Sequence, residues 1–195
     1  MKLTDLILKT RSFRRFDESH TIEYKALEGL IELARLSASG ANRQPLKYIL
    51  FNSPEDCARI FPSLLWAGYL RDWDGPQPGE RPSGYIIILG DTSIADNFGV
   101  DHGIAAQSIM LGATETGLGG CMIASIKREQ LRAELGIPEK YEILLVLALG
   151  KPVENVIIDD IKEGDVKYWR DDSKNHHVPK RPLSELIIKL PSAEE

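Results

Sequence analysis

Three arginines fall close together near the start of the sequence: Arg11, Arg14 and Arg15, with Ser12 between them. Guanidinium groups match phosphate oxygens bidentately, and a serine hydroxyl adds a neutral donor. Because the whole chain carries a net charge of −5, an anion can be held only where positive charge is locally concentrated. This cluster is therefore a candidate anion site, and the alternative is a solvated basic turn paired with surface carboxylates.

A second basic pair, Lys180 and Arg181, follows the segment His176–Pro179 near the other end of the chain. Two basic groups from opposite chain ends could converge on one phosphate if the fold brings them together. Sequence spacing does not decide this, and a plain surface turn is the alternative.

The segment 39–45 reads Ser-Gly-Ala-Asn-Arg-Gln-Pro and follows a helical pattern. It offers a hydroxyl, an amide and a bare glycine backbone, which can hydrogen-bond the edge of a flat heterocycle. The alternative is an ordinary connection between a helix and a strand.

Motifs for other chemistry are missing from the sequence. There is no GxSxG, HExxH or GxxxxGK[ST] pattern, and no GxGxxG turn follows a strand. Cys57 and Cys121 are predicted to be free thiols, since they form no CxxC pair. No metal site is predicted, because the adjacent histidines 176–177 would point apart on regular structure. Anion sites without a catalytic side chain indicate that a bound cofactor supplies the reactivity.

Several elements must position these residues. Helices are predicted over about 4–9 and 24–37, the second from apolar residues at near-helical spacing. Strands are predicted over 48–51, 85–89 and 142–149. The last of these is apolar on both faces, so we expect a central strand covered by helices.

The segment 101–117 is rich in small and apolar residues nearly all round. Such a helix must be buried on all sides, so it is predicted to pack against a second subunit; the alternative is a central helix within one subunit. The glycines at positions 117, 119 and 120 are interpreted as a helix C-terminus that leads into the segment 122–125. The stretch 66–82, rich in Gly, Pro and aromatic residues, is predicted to be a surface loop that acts as a lid or substrate wall.

The composition sets outer limits on the function. A chain of 195 residues, 43% hydrophobic and 27% charged, fits a single globular domain over 1–195. The negative net charge argues against nucleic acid or an anionic membrane as the main partner. The N-terminal apolar stretch is too short for a signal peptide, and no segment is long enough to span a bilayer, so a cytoplasmic location is predicted.

Five segments resemble, in order, the signature segments of the nitroreductase superfamily and extend over nearly the whole chain. They are TRSFRRFD (10–17), SASGANRQPLKYIL (37–50), DHGIAAQSIMLGATETGLGGCMIAS (101–125), LALGKPVE (147–154) and VPKRPLSEL (178–186). The resemblance implies an α+β fold with a central, mostly antiparallel sheet flanked by helices. It also implies an intertwined homodimer with one FMN at each of two interface sites.

The resemblance further implies residue roles around the flavin. Arg11, Ser12 and Arg14 would hold its phosphate and pyrimidine side, and Lys180 and Arg181 would complete the phosphate site. The remaining cofactor contacts would come from Ser39, Gly40 and Asn42 of the partner subunit and from Ile123, Ala124 and Ser125 near the flavin N5 edge.

Substrate contacts implied by the resemblance are Ala41 and the aromatic loop residues Trp66, Tyr69 and Trp73, although the loop could equally be a packed surface flap. The chain also departs from the family pattern. Thr10 replaces an arginine, Ala38 a proline, Leu46 a tryptophan and Ala124 an acidic residue or glycine, and these changes bear on substrate preference.

The implied activity is ping-pong hydride transfer from NAD(P)H, through flavin N5, to a nitroaromatic, quinone or enone acceptor, with no catalytic side chain from the protein. Two alternatives stay open. One is a specialised reductive enzyme of the same fold, of dehalogenase or flavin-fragmenting type. The other is a flavin-binding protein without meaningful turnover.

Overall fold

The computed structural model describes residues 2–190, which form six α-helices and two sheets. The helices are α1 (Leu3–Lys9), α2 (Tyr24–Arg35), α3 (Pro54–Ile60), α4 (Asp101–Glu115), α5 (Arg128–Leu135) and α6 (Leu183–Leu186). The strands are β1 (Phe16–Asp17), β2 (Leu46–Phe51), β3 (Gly84–Asp91), β4 (Gly119–Ile123), β5 (Tyr141–Pro152), β6 (Val156–Asp160), β7 (Trp169–Arg170) and β8 (His176–Lys180).

The larger sheet is antiparallel throughout and has β5 at its centre. Its order is β1-β5-β3-β2, and β4 also pairs with β5. Both β3 and the apolar part of β5 are buried on both faces, as the run EILLVLAL predicted. The expected α+β fold with a central antiparallel sheet flanked by helices is confirmed.

Helices cover both faces of this sheet and create two cores. On one face, α2 and α4 place Leu30 and Ile109 against the strand residue Leu147. On the other face, α3 and α5 place Ile60 and Leu131 on the opposite side of the same strands. Each fully buried Leu or Ile contributes about 1.5–3 kcal/mol, so the two layers fix the sheet that carries the functional residues.

Helix α4 packs against α2 within one chain. Gly112 lets the two helices approach closely, because a Cβ at this position would lie 2.3 Å from the end of the Leu33 side chain. The opposite side of α4 remains open, with Ile104 37% exposed and Gln107 exposed. The expected helix is confirmed, and its role as a dimer contact stays a prediction.

The glycines after α4 correct one interpretation. The helix ends at Glu115, and Gly117 turns the chain with φ +83°. However, Gly119 and Gly120 begin strand β4 instead of ending the helix. A Cβ on Gly120 would lie 2.5 Å from the carbonyl oxygen of Ala148, so glycine lets β4 approach β5 closely.

A second sheet of three strands follows β5, and the sequence patterns had not indicated it. In this sheet β8 pairs parallel with β6 and antiparallel with β7. The strands are short, β6 has three apolar residues in a row followed by two aspartates, and Pro179 lies within β8, so they lack the alternation that identifies a strand. Among residues 2–190, no helix has the length and apolar character needed to cross a membrane.

Candidate functional site

A cleft of about 390 Å³ lies between the N-terminal segment, α4, β4 and the small sheet. Four separate stretches of chain converge there because the small sheet folds back onto the segment that follows α1. The cleft is lined by Thr10, Arg11, Ser12, Arg14, Gln107, Met110, Met122, Val156, Tyr168, His176, Val178 and Lys180.

Positive charge in the cleft comes from Arg11, Arg14 and Lys180. Within the described residues, none of the three forms an ion pair. The Nη2 of Arg11 donates to the carbonyl oxygen of Ile7 at 2.5 Å, its buried Nε has no partner in the described structure, and burial lowers its pKa. The cleft therefore offers cationic donors without a carboxylate, which suits an anion.

Arg15 has a different environment from its neighbours in the cluster. Its Nε donates to Glu80 at 2.8 Å and its Nη2 at 2.5 Å, so the guanidinium is held bidentately. This bond to Glu80 raises the pKa of Arg15 and lowers that of Glu80. Arg15 therefore ties the N-terminal segment to the end of the 66–82 loop.

The Arg14 side chain is held by His176 of β8 and by Tyr168, the residue that precedes β7. Its Nη1 lies 3.0 Å from His176 Nε2, and its guanidinium lies 4.8 Å from the centre of the Tyr168 ring. Burial and then the charges of Arg14 and Arg170 lower the pKa of His176 to about 4. The imidazole is therefore neutral near pH 7 and accepts the hydrogen bond from Arg14.

A buried carboxylate holds the backbone of the same residue. Glu154, whose side chain is fully buried, accepts a hydrogen bond from the Arg14 backbone N–H and one from Arg170 Nη2 at 3.2 Å. The Arg170 guanidinium lies 4.1 Å from the centre of the Trp73 ring. Arg14 is thus fixed through both its main chain and its side chain, which preorganises its charge.

The predicted residues 123–125 lie where β4 ends. Ile123 is buried in the core, whereas Ala124 and Ser125 are exposed just beyond it. The backbone oxygen of Ser125 accepts a hydrogen bond from Leu65 N–H at 3.0 Å. Within this chain it is the neighbouring Met122 that lines the cleft.

Ser39, the first residue of the predicted segment 39–42, lines a different pocket, of about 350 Å³, beside the start of α4. Ser39 Oγ donates to Asp101 Oδ2 at 2.6 Å, and Gly40 N–H donates to Oδ1 at 2.9 Å. Ala41 and Asn42 follow with φ of 49° and 54°. None of these four residues lines the cleft of its own chain, and their placement in a partner's site stays a prediction.

The aromatic residues of the 66–82 loop have three different environments. Trp66 is buried in the core with its ring centre 5.7 Å from that of Phe61. Tyr69 is exposed, and its ring lies 4.9 Å from Tyr168 in the wall of the cleft. Trp73 contacts Arg170, as described above. The loop therefore reaches the cleft through Tyr69, while Trp66 belongs to the core.

Of the two basic residues near the C-terminus, only Lys180 lines the cleft. Arg181 is exposed, and its Nη1 forms an ion pair with Glu185 Oε2 at 2.8 Å, one turn further along the chain. The structure therefore brings Lys180 together with Arg11, Ser12 and Arg14, and directs Arg181 elsewhere.

Sequence reasoning had no role for several residues of the cleft. Gln107 matches a position that recurs in the nitroreductase superfamily, a resemblance that gives it no role, and the structure places it on α4 in the wall of the cleft. Thr10 Oγ1 donates to Thr114 Oγ1 at 3.0 Å and links α1 to α4. Tyr168 and His176 gave no local signal, because their contribution depends on how the small sheet folds back.

Comparison with known proteins gives a consistent result. The model of the nitroreductase family matches residues 7–151 of this chain. A relative from Bacillus subtilis (strain 168) that carries the name of an NAD(P)H nitroreductase is 25% identical over 179 residues, covering 76% of this chain and 89% of the relative.

Two solved structures show the same fold. A nitroreductase family protein from Clostridium difficile 630 has a TM-score of 0.68 at 21% identity. The match covers 96% of this chain and 98% of the Clostridium chain. A protein from Exiguobacterium sibiricum 255-15, described as a nitroreductase in complex with FMN, has a TM-score of 0.64 at 18% identity. The match covers 78% of this chain and 89% of the Exiguobacterium chain.

Proposed function

The chain belongs to the nitroreductase family, and we propose that it is an FMN-dependent oxidoreductase that draws electrons from NAD(P)H. The acceptor in this proposal is a small molecule such as a nitroaromatic compound, a quinone or an enone. The observation that carries the proposal is the group of three cations, Arg11, Arg14 and Lys180, that line one cleft without a carboxylate partner in the described structure.

The residues of the cleft fit a phosphate-bearing flavin. A phosphate dianion needs several cationic or N–H donors, and Arg11, Ser12 and Lys180 supply them. Arg14 is held further along the same cleft by His176 and Tyr168, where its charge would face the pyrimidine side of the flavin. Arg181 would join the phosphate site only after leaving its ion pair with Glu185.

FMN, when bound, supplies the ability to take a hydride from a nicotinamide and pass it to the acceptor. The contribution of the chain is to bind, orient and stabilise. Arg14, fixed by the Glu154 carboxylate and the neutral His176 imidazole, places one positive charge without needing to reorganise during turnover. Tyr69 and Tyr168 together form an aromatic wall on which a flat acceptor can rest.

Completion of the site by a second copy of the chain is part of the proposal. Several apolar residues near the two chain ends are exposed: Leu3 (65%), Leu8 (55%), Leu183 (69%), Leu186 (63%), Ile188 (83%) and Leu190 (82%). Contiguous exposed apolar surface marks an interaction site, and we propose that these residues form one. A homodimer would cover it and would bring the partner's loop 39–42 to the cleft.

The test of cofactor binding is an FMN titration of the apoprotein, followed by flavin fluorescence. Arg14→Ala should weaken FMN binding at least tenfold, about 1.4 kcal/mol. Arg59→Ala is the matched control, because Arg59 is an exposed arginine on α3 paired with Glu134, and it should bind FMN like the wild type. Unchanged affinity in Arg14→Ala contradicts the placement of this residue at the flavin.

The test of catalysis is anaerobic mixing of the FMN-loaded protein with NADH and, separately, NADPH. Loss of the oxidised flavin absorbance within seconds supports a reductase, and the faster nicotinamide identifies the donor. No reaction with either one favours a flavin-binding protein or a different electron donor. Comparing acceptors in a second step separates nitro, quinone and enone reduction from the dehalogenase alternative.

A further inference from the structure

The middle of the 66–82 loop is a short lobe, residues 67–74, whose two ends meet at the core. Gly75 has φ +121°, and a Cβ there would lie 2.7 Å from the indole of Trp66, so the chain closes tightly on that buried ring. Within the lobe, Tyr69 and Arg71 are exposed and Trp73 is partly buried. The position of the lobe therefore depends on contacts that its own residues make outside its base.

The lobe contacts two residues at β7. The Tyr69 backbone N–H donates to Tyr168 Oη at 3.3 Å, and the centres of the two rings lie 4.9 Å apart. The centre of the Trp73 ring lies 4.1 Å from the Arg170 guanidinium. Trp169, between these two residues of the chain, stacks on a ring of β8 instead. Successive side chains of an extended chain point to opposite faces, so Tyr168 and Arg170 share the face that meets the lobe.

The same two residues also contact the groups that hold Arg14. The centre of the Tyr168 ring lies 4.8 Å from the Arg14 guanidinium. Arg170 Nη2 donates to one oxygen of Glu154 at 3.2 Å, and the other oxygen of this carboxylate accepts the Arg14 backbone N–H. Trp73 does not line the cleft, so its connection to Arg14 runs through Arg170 and Glu154.

The position of Arg170 is fixed by a buried charge. The Glu154 side chain is fully buried, and the Arg170 side chain is 15% exposed. Among residues 2–190, no other side chain forms an ion pair with Glu154. A buried carboxylate that loses its partner strongly destabilises the fold. Arg170 is therefore held against Glu154, and it presents a fixed planar face to Trp73.

We propose that Arg170 is a positioning residue that couples the lobe to Arg14, so that displacement of the lobe loosens Arg14 and weakens the binding of the flavin. The inference rests on the proposed function, because it takes Arg14 to face the pyrimidine side of FMN. Such coupling is reciprocal. An aromatic acceptor that rests on Tyr69 and fixes the lobe would therefore also tighten FMN binding.

A double-mutant cycle on FMN affinity, measured by flavin fluorescence, tests the coupling. Arg170→Lys keeps a charge beside Glu154 but removes the planar face over Trp73, and Trp73→Leu keeps an apolar side chain but removes the ring. Each variant should bind FMN about threefold more weakly. The double variant should bind no more weakly than either single variant, because all three break the same contact. Arg71→Gln, which changes an exposed residue of the same lobe, should bind like the wild type.

The midpoint potential of bound FMN separates positioning from a general loss of structure. The positive charge of Arg14 favours the reduced flavin, so loosening of Arg14 in Trp73→Leu should shift the potential to more negative values. A variant that is only less stable would keep the potential of the wild type. Additive effects on FMN affinity in the cycle, or unchanged affinity and potential in Arg170→Lys and Trp73→Leu, overturn the proposal.

Amide hydrogen exchange of the FMN-free protein, followed by mass spectrometry, keeps this test distinct from that of the proposed function. Trp73→Leu should speed exchange in the lobe and also in the segment 11–15, where Glu154 holds the Arg14 N–H. Unchanged exchange in the segment 11–15 refutes the coupling and leaves the FMN proposal standing. Faster exchange in both segments of a protein that does not bind FMN supports the coupling and refutes the proposed function instead.

Discussion

Replacement of His176 by phenylalanine gives a prediction about acid stability. His176 is fully buried, and the groups that face it are Arg14, Arg170, His177 and Tyr168. Burial, followed by the charges of both arginines, lowers its pKa from 6.5 to about 4. Phenylalanine keeps a ring against Tyr168 but cannot titrate.

The magnitude follows from proton linkage. Above pH 6.5 the imidazole is neutral in both folded and unfolded chains. As the pH falls from 6.5 towards 4, the unfolded chain takes up a proton that the folded chain does not, so the free energy of unfolding decreases. With 1.36 kcal/mol per pKa unit, the shift from 6.5 to about 4 amounts to roughly 3 kcal/mol of lost stability.

The assay is urea unfolding of the apoprotein, followed by circular dichroism at a fixed protein concentration, at several pH values between 7 and 4. His176→Phe also removes the acceptor of an Arg14 hydrogen bond, which lowers stability at every pH. The informative quantity is therefore the pH dependence. We expect the variant to lose roughly 3 kcal/mol less than the wild type over this range.

His20→Asn, in the turn after β1, serves as the control and should keep the acid sensitivity of the wild type to within about 0.5 kcal/mol. If wild type and His176→Phe lose stability in parallel between pH 7 and 4, then His176 is not a buried neutral imidazole. Its proposed role as an acceptor for Arg14 would then be wrong as well.

Three further predictions concern the cleft and its surroundings. Gly120→Ala should lower the free energy of unfolding by about 3 kcal/mol in urea titrations, because the added Cβ would lie 2.5 Å from the Ala148 carbonyl oxygen; full stability contradicts the close approach. Asp101→Ala should lower the free energy of unfolding by about 2 kcal/mol, because it leaves the Ser39 hydroxyl and the Gly40 N–H without their acceptor; a decrease below 0.5 kcal/mol would show that Asp101 does not hold this loop. Tyr168→Leu removes a cation–π contact at 4.8 Å, worth about 1 kcal/mol, so FMN should bind about fivefold more weakly in the fluorescence titration; unchanged binding contradicts that contact.

The part of the fold that could be predicted from the sequence is the part with strong hydrophobic patterning. The run 142–149 is apolar at nearly every position, and β5 is buried on both faces at the centre of the sheet. The spacing of Leu27, Leu30 and Ala34 likewise placed one face of α2 in the core. Hydrophobic periodicity is a local property of the chain, so it can be read without knowing the tertiary contacts.

Glycine positions showed the limit of this reasoning. The cluster 117–120 reads as a helix end, and Gly117 does turn the chain after α4. Gly120 is needed for a different reason, the approach of β4 to the backbone of Ala148. A contact between segments nearly thirty residues apart leaves no trace in the local sequence.

The sequence by itself determined which chemical groups are present, namely basic donors near both chain ends and no protein nucleophile motif. It also predicted a buried sheet with helices on both faces. Only the tertiary structure decided which donors meet. The small sheet of residues 156–180 places Lys180 in the cleft with Arg11, whereas Arg181 forms an ion pair with Glu185. It also places a neutral His176 against Arg14. Convergence and burial depend on how distant segments pack, and an imidazole's charge follows from its burial.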